Sequence, residues 1–165
     1  YGDDVVSRIE FSARESGLST LQAEIINAIN TVIDETTARI GATPQDIYGL
    51  TFVGNTTMQH LLLGISPVAM AQAPYVPAFA KMQCLRPEEL GIHAHRDAHA
   101  WILPNIAGWV GADTVGVILS RFNPHNFIKS KRRHSLYNTP HSPTSGYYNL
   151  VFSSWIITQG CEHFR

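Results

Sequence analysis

Cysteine is almost missing from this chain of 165 residues, which holds only Cys84 and Cys161. They lie far apart and neither has a second cysteine at ligand spacing, so a disulfide framework and a cysteine knuckle are both excluded as organising devices. A reducing, cytoplasmic compartment is expected. Long apolar runs are missing too: none approaches the roughly 20 residues of a membrane helix, and no basic-then-apolar segment opens the sequence. Acidic residues run out late in the chain. Through Ser120 twelve Asp and Glu outnumber six Lys and Arg, whereas beyond it six Lys and Arg stand against Glu162 alone. One reading of Lys129-Ser130-Lys131-Arg132-Arg133-His134 is a basic arm for nucleic acid or membrane, and the other is a solvated tail without fixed structure. The second is preferred, because Tyr137, Tyr147, Tyr148 and Trp155 are not interleaved with the basic cluster as single-strand binding requires.

What is present before Ser120 reads as α/β. Ser19-Thr20-Leu21-Gln22 has the form of a capping box, and Leu21, Ile25, Ile29, Val32, Ile33 and Ile40 follow at helical spacing. Gly41 stops that helix and Pro44 forbids its resumption. Ile47 to Val53 then has the content of a buried strand, too short for a helix after the proline. Asp3 and Asp4, placed before Val5-Val6-Ser7-Arg8-Ile9, suit a helix start.

The chemistry-bearing stretch is Phe52-Val53-Gly54-Asn55-Thr56-Thr57-Met58, where an apolar strand runs through Gly-Asn-Thr-Thr into a short helix. A glycine allows a tight turn, small polar side chains cap the helix, and the first-turn N–H groups face an incoming anion. By itself such a junction is more often an ordinary capped turn. Leu103-Pro104 leads through Gly108 and Gly111 to Asp113-Thr114 and repeats the arrangement with a carboxylate included. Asp113 suits either the stabilisation of a helix end or the holding of Mg²⁺ or a water near a phosphate.

Between them, Pro67, Pro74, Pro77 and Pro87 break an Ala-rich stretch into extended or short helical pieces. His93, His95, Asp97 and His99 alternate as they would on one side of a strand. No further ligand completes a metal set there, so an exposed polar strand is expected and no metal site is assigned.

Tyr1-Gly2-Asp3-Asp4-Val5-Val6-Ser7-Arg8-Ile9, Val53 to Met58, Leu61 to Ile65, Ala73-Pro74-Tyr75-Val76-Pro77 and Leu103 through Thr114 together resemble, in order, the ATPase portion of the reductive activators of corrinoid proteins. The resemblance covers residues 1 to about 120. It implies the actin, sugar-kinase and heat-shock ATPase superfamily, with two ribonuclease-H-like lobes closing on ATP and Mg²⁺. It also implies electron transfer from a ferredoxin-type iron–sulfur domain to the cobalt(II) form of a corrinoid methyl-transfer protein, which is the expected partner. Homodimerisation is left open, and neither nucleic acid nor a membrane is expected as a partner.

The family carries its iron–sulfur cysteines and an Asp-x-Gly-Thr-Thr turn upstream of the part matching Tyr1, and an Asp-Ile-Gly-Thr-Asn-Gly-Glu turn downstream of Asp113. Neither turn is in this sequence, which begins at Tyr1 rather than Met. The expectation is a fragment: residues 1–66 in the first lobe, 67–120 as connector and start of the second, and 121–165 disordered or out of frame. Such a chain binds no iron–sulfur cluster and is inactive alone. Candidate nucleotide contacts are Gly54, Asn55, Thr56, Gly111, Asp113 and Thr114; no catalytic residue is assigned. The alternative function is a non-catalytic interaction module that docks through the 58–66 helix and the proline-rich connector.

Overall fold

The computed structural model describes residues 4–107 and 110–116 and, as backbone, strands at 128–129, 135–138 and 148–153. Helix α1, Val5–Ser12, starts on a reciprocal cap: the Ser7 N–H donates to Asp4 Oδ1 at 2.8 Å, and the Asp4 N–H to Ser7 Oγ at 3.3 Å. The Ser7 bond holds the Asp4 carboxyl below its usual 3.8. Asp3 lies outside the described residues.

Helix α2, Gly17–Arg39, buries Leu21, Ile25, Ile29, Ile33 and Thr37. Their spacing of four residues keeps them on one stripe of a helix. The start differs from the Ser19 cap read in the sequence. Ser16, at φ 60°, precedes the first turn, and the Ser19 and Thr20 hydroxyls donate back to its carbonyl at 3.0 and 2.8 Å. Gln22, expected to close the box, reaches instead to the Leu62 carbonyl at 3.1 Å. Gly41, at φ +69°, ends the helix in a conformation that other residues rarely adopt, and Pro44–Asp46 forms a single 3₁₀ turn.

Strand β1, Ile47–Val53, is followed by α3, Thr56–Leu62. Strands β2, Gln83–Leu85, and β3, His99–Ile102, come next. β3 lies parallel to β1, with Leu50 opposite Ala100 and Phe52 opposite Ile102, and β2 is antiparallel to β3. β1–α3–β3 is therefore a βαβ unit, as the order strand, Gly-Asn, helix implies. β1 from residues 1–66 and β3 from 67–120 share this one sheet. Leu21, Ile25, Ile29 and Ile33 of α2 form one core with Leu50 and Phe52 of β1, Leu61 and Leu62 of α3, and Ile102 of β3.

Residues 121–165 need correction at three places. Strands β4, Ile128–Lys129, β5, Ser135–Asn138, and β6, Tyr148–Ser153, extend the sheet in the order β2-β3-β1-β6-β5-β4. β6 is parallel to β1, with Leu50 opposite Leu150 and Phe52 opposite Phe152. A seven-residue strand lined by buried positions needs a hydrogen-bonded neighbour on each edge, and Leu150-Val151-Phe152 is the β-prone stretch that the late chain offers. The rest of the basic tail, including Lys131 to His134 and Cys161, lies outside the described residues.

The expected polar strand at 93–99 is also corrected. His95 donates its backbone N–H to the Ile47 carbonyl and its ring Nδ1 accepts from the Asp97 N–H, which turns the chain, and β3 starts only at His99. His93 goes instead to α2, where the Asn30 side chain accepts its N–H at 2.8 Å. Among the described residues no three His, Cys, Asp or Glu side chains are grouped to hold a metal ion. No described helix is long and apolar enough to cross a membrane.

Candidate functional site

The junction after β1 and the segment beyond β3 meet at the carboxyl ends of these two parallel strands. In open α/β sheets that edge is where ligands bind. The Gly54 carbonyl accepts the Asp113 N–H at 3.3 Å. Gly111 lies so close that a β-carbon there would come within 2.5 Å of the Gly54 carbonyl oxygen and of Asn55 Cα, and 2.7 Å of the Thr56 nitrogen. The Thr56 hydroxyl donates to the Ala107 carbonyl at 3.1 Å. Four of the six candidates, Gly54, Asn55, Thr56 and Gly111, thus form one backbone crossing, and Asp113 is tied to it. Thr114 stands at its exposed side, where its N–H donates to Asp113 Oδ1 at 2.9 Å.

Gly54 is not among the described glycines with positive φ, which are Gly41, Gly64 and Gly91; close approach of the backbone requires glycine at Gly111. Asn55 caps α3, since its Oδ1 accepts the Met58 N–H at 2.9 Å. Its Nδ2 and the second oxygen of Asp113 have no hydrogen-bond partner among the described residues. An amide donor and one carboxylate oxygen are therefore open at the crossing.

Residues that the motif reading passed over hold this edge in place. Every residue of α3 from Thr56 to Leu62 is buried, His60 completely. A carbonyl cannot donate, so His60 Nδ1 carries the proton and gives it to the Thr56 carbonyl at 2.7 Å; Nε2 accepts the Ala78 N–H at 2.9 Å. Burial pushes this imidazole below its usual 6.5, against the opposite pull of the Thr56 carbonyl. The ring stacks on Phe79 with centroids 4.7 Å apart. The Thr56–His60 spacing of one helical turn was visible in the sequence, but the partner, a backbone N–H in the proline-rich segment, had no motif to mark it. Gln59 reaches the Leu103 carbonyl at 3.1 Å in the same way. On the α1 side, the buried Arg8 places Nη1 3.1 Å from Met58 Sδ.

The family described as RACo middle region matches residues 1–122, and the chain belongs to it. The corrinoid activation enzyme RamQ of Eubacterium limosum is 27% identical over 120 residues, which are 72% of this chain and 20% of that protein. A solved structure described as a reductive activator for corrinoid, iron-sulfur protein superimposes with a TM-score of 0.70 at 31% identity, covering 73% of this chain and 19% of that one. The resemblance carried by the ordered motifs is borne out over the same span. The chain spans about a fifth of the length of these two relatives.

Proposed function

We propose that the chain is part of the ATPase portion of a reductive activator, one that uses ATP to return the cobalt(II) form of a corrinoid methyl-transfer protein to cobalt(I). The observation that carries this reading is the crossing of Gly54–Thr56 with Gly111–Asp113 beyond the ends of two parallel strands, in a chain of this family. In this reading the described sheet belongs to one side of a two-lobed, actin-like ATPase. Asn55, through Nδ2, and Thr114 are the polar groups that face the nucleotide, and Gly54 and Gly111 keep the backbone close. Asp113 positions Mg²⁺ or a water from its free carboxylate oxygen.

ATP and Mg²⁺ fit this edge only as shared ligands. One carboxylate is available at the crossing, and Mg²⁺ bound by one or two carboxylates takes its other ligands from phosphates and water. The remaining phosphate contacts then belong to segments of the longer relatives that this chain does not match. Electron delivery likewise belongs to an iron–sulfur domain outside this chain, and the chain alone neither hydrolyses ATP nor carries the electron. Titration calorimetry tests this directly: the chain should bind MgATP no tighter than about millimolar, roughly −4 kcal/mol. Micromolar, Mg²⁺-dependent binding would show that the crossing is a complete site.

The competing reading, an interaction module, draws less support from its helix than from its connector, because α3 is buried from Thr56 to Leu62. Its other surface keeps exposed apolar side chains at Tyr75 and Val76 in the proline-rich segment.

A further inference from the structure

Two buried amide side chains next to the crossing have hydrogen-bonding capacity that no group among the described residues meets. Gln59 and Asn105 are 2% and 6% exposed. Gln59 donates through Nε2 to the Leu103 carbonyl, but its Oε1 has no partner. Asn105 donates its backbone N–H to the Ala80 carbonyl at 3.0 Å, while its Oδ1 and Nδ2 have none. Both residues belong to one seam between α3 and the 103–107 loop. Thr56 and Gln59, one turn apart on α3, are tied to the carbonyls of Ala107 and Leu103, and Asn105 is midway in sequence between those two carbonyls.

Buried polar groups without partners are rare in folded proteins, because each forfeits the bonds it makes to water in the unfolded chain. The unmet set is two acceptors, Gln59 Oε1 and Asn105 Oδ1, and one donor group, Asn105 Nδ2. A guest that satisfies all three must donate twice and accept once. An ammonium ion cannot accept, and an alcohol donates only once. Water does both, and three hydrogen bonds is the usual number for a buried water.

We infer that one ordered water is bound between Gln59 and Asn105. It donates to Gln59 Oε1 and Asn105 Oδ1 and accepts from Asn105 Nδ2, pinning the 103–107 loop to α3. That pin fixes the Ala107 carbonyl to which Thr56 donates, so the water is a positioning element of the crossing. The inference stands on the buried amides and does not depend on what the crossing binds.

The test uses the whole chain. In rotating-frame water NMR experiments, the Asn105 side-chain amide should show cross-peaks to a water that stays bound for longer than nanoseconds, and a crystal structure should place a water within hydrogen-bond distance of all three atoms. Asn105→Leu should remove the bound-water signal; Asn105→Asp, which keeps shape and acceptors, should retain a water contact at Gln59. If either variant fails to fold, the wild-type spectra and crystal structure still decide. A direct Asn105 Nδ2 to Gln59 Oε1 bond with no water between, or an Asn105 amide whose only cross-peaks are to protein hydrogens, would overturn the inference.

Discussion

Gly111 and Asn55 touch backbone to backbone, and a single methyl group on Gly111 would lie 2.5 Å from Asn55 Cα. Every atom that this methyl group meets within 2.7 Å belongs to the main chain of residues 54–56, so no side-chain rotation relieves the clash. Gly111→Ala is expected to destabilise by about 1–3 kcal/mol. Thermal melts should show the loss as a lower midpoint, by roughly 2–4 °C for each kcal/mol in a chain of this size. Gly41→Ala is the control for conformation alone: Gly41 has a positive φ but nothing within 4 Å of its β-carbon position. It should cost only about 1 kcal/mol.

His60 makes stability depend on pH in one direction. Its folded pKa is below 6.5, so the unfolded state binds the proton more readily than the native one. The contribution is whole above 6.5 and declines as the pH falls from there through the folded value. In His60→Gln that part of the slope should disappear, and the difference between wild type and variant in urea-melt free energy should narrow as the pH drops from 7.5 to about 5. Nitrogen NMR should show the Nδ1–H form at pH 7; an Nε2–H form would contradict the Ala78 bond.

Asn55 and Asp113 separate scaffolding from chemistry. Asn55→Ala removes the α3 cap and should cost about 1 kcal/mol in this chain. In a polypeptide of the relatives' full length, Asp113→Asn should lower ATP-dependent corrinoid reduction about a hundredfold, about 2.7 kcal/mol of transition-state stabilisation, with the melt little changed. Unchanged reduction in both variants would leave the crossing as scaffold.

The core makes a plainer claim. Ile33 is fully buried between α2 and the sheet, whereas Ile40, one position past the helix, is 43% exposed. Ile33→Ala should cost about 2–5 kcal/mol and Ile40→Ala less than about 0.5, measured by chemical denaturation.

The parts of this fold that were legible in the sequence are those in which local signals and burial agree. β1 runs from Ile47 to Val53 as read, because Pro44 and the Gly54-Asn55 turn bracket it, and the α2 stripe repeats every fourth residue. Ile40 fits that spacing but is not in the core, since Gly41 ends the helix before the position is used. The Ser19 box failed because Ser16 in a left-handed conformation opens the helix three residues earlier, a backbone choice with no side-chain signature. Of the site, the two glycine motifs were visible and so was their order. The steric need for glycine at Gly111 was not, because the contact between Gly111 and Asn55 joins residues far apart in sequence. His60 and Gln59 were invisible for the same reason: the Ala78 N–H and the Leu103 carbonyl that they meet are backbone groups of remote segments.

β1 is hydrogen-bonded on one side to a strand about fifty positions later and on the other to one a hundred positions later, Leu50 facing both Ala100 and Leu150. Closing the longer loop costs more chain entropy and is repaid only when the sheet is nearly complete. The chain should therefore assemble in two stages. α2, β1, α3 and β3 come together first, and the β1 edge that later receives β6 stays open in the meantime. Until it closes, that edge can pair with the wrong strand, so refolding yield should fall with protein concentration, and the amides of 148–153 should gain protection after those of 99–102 in pulsed hydrogen exchange.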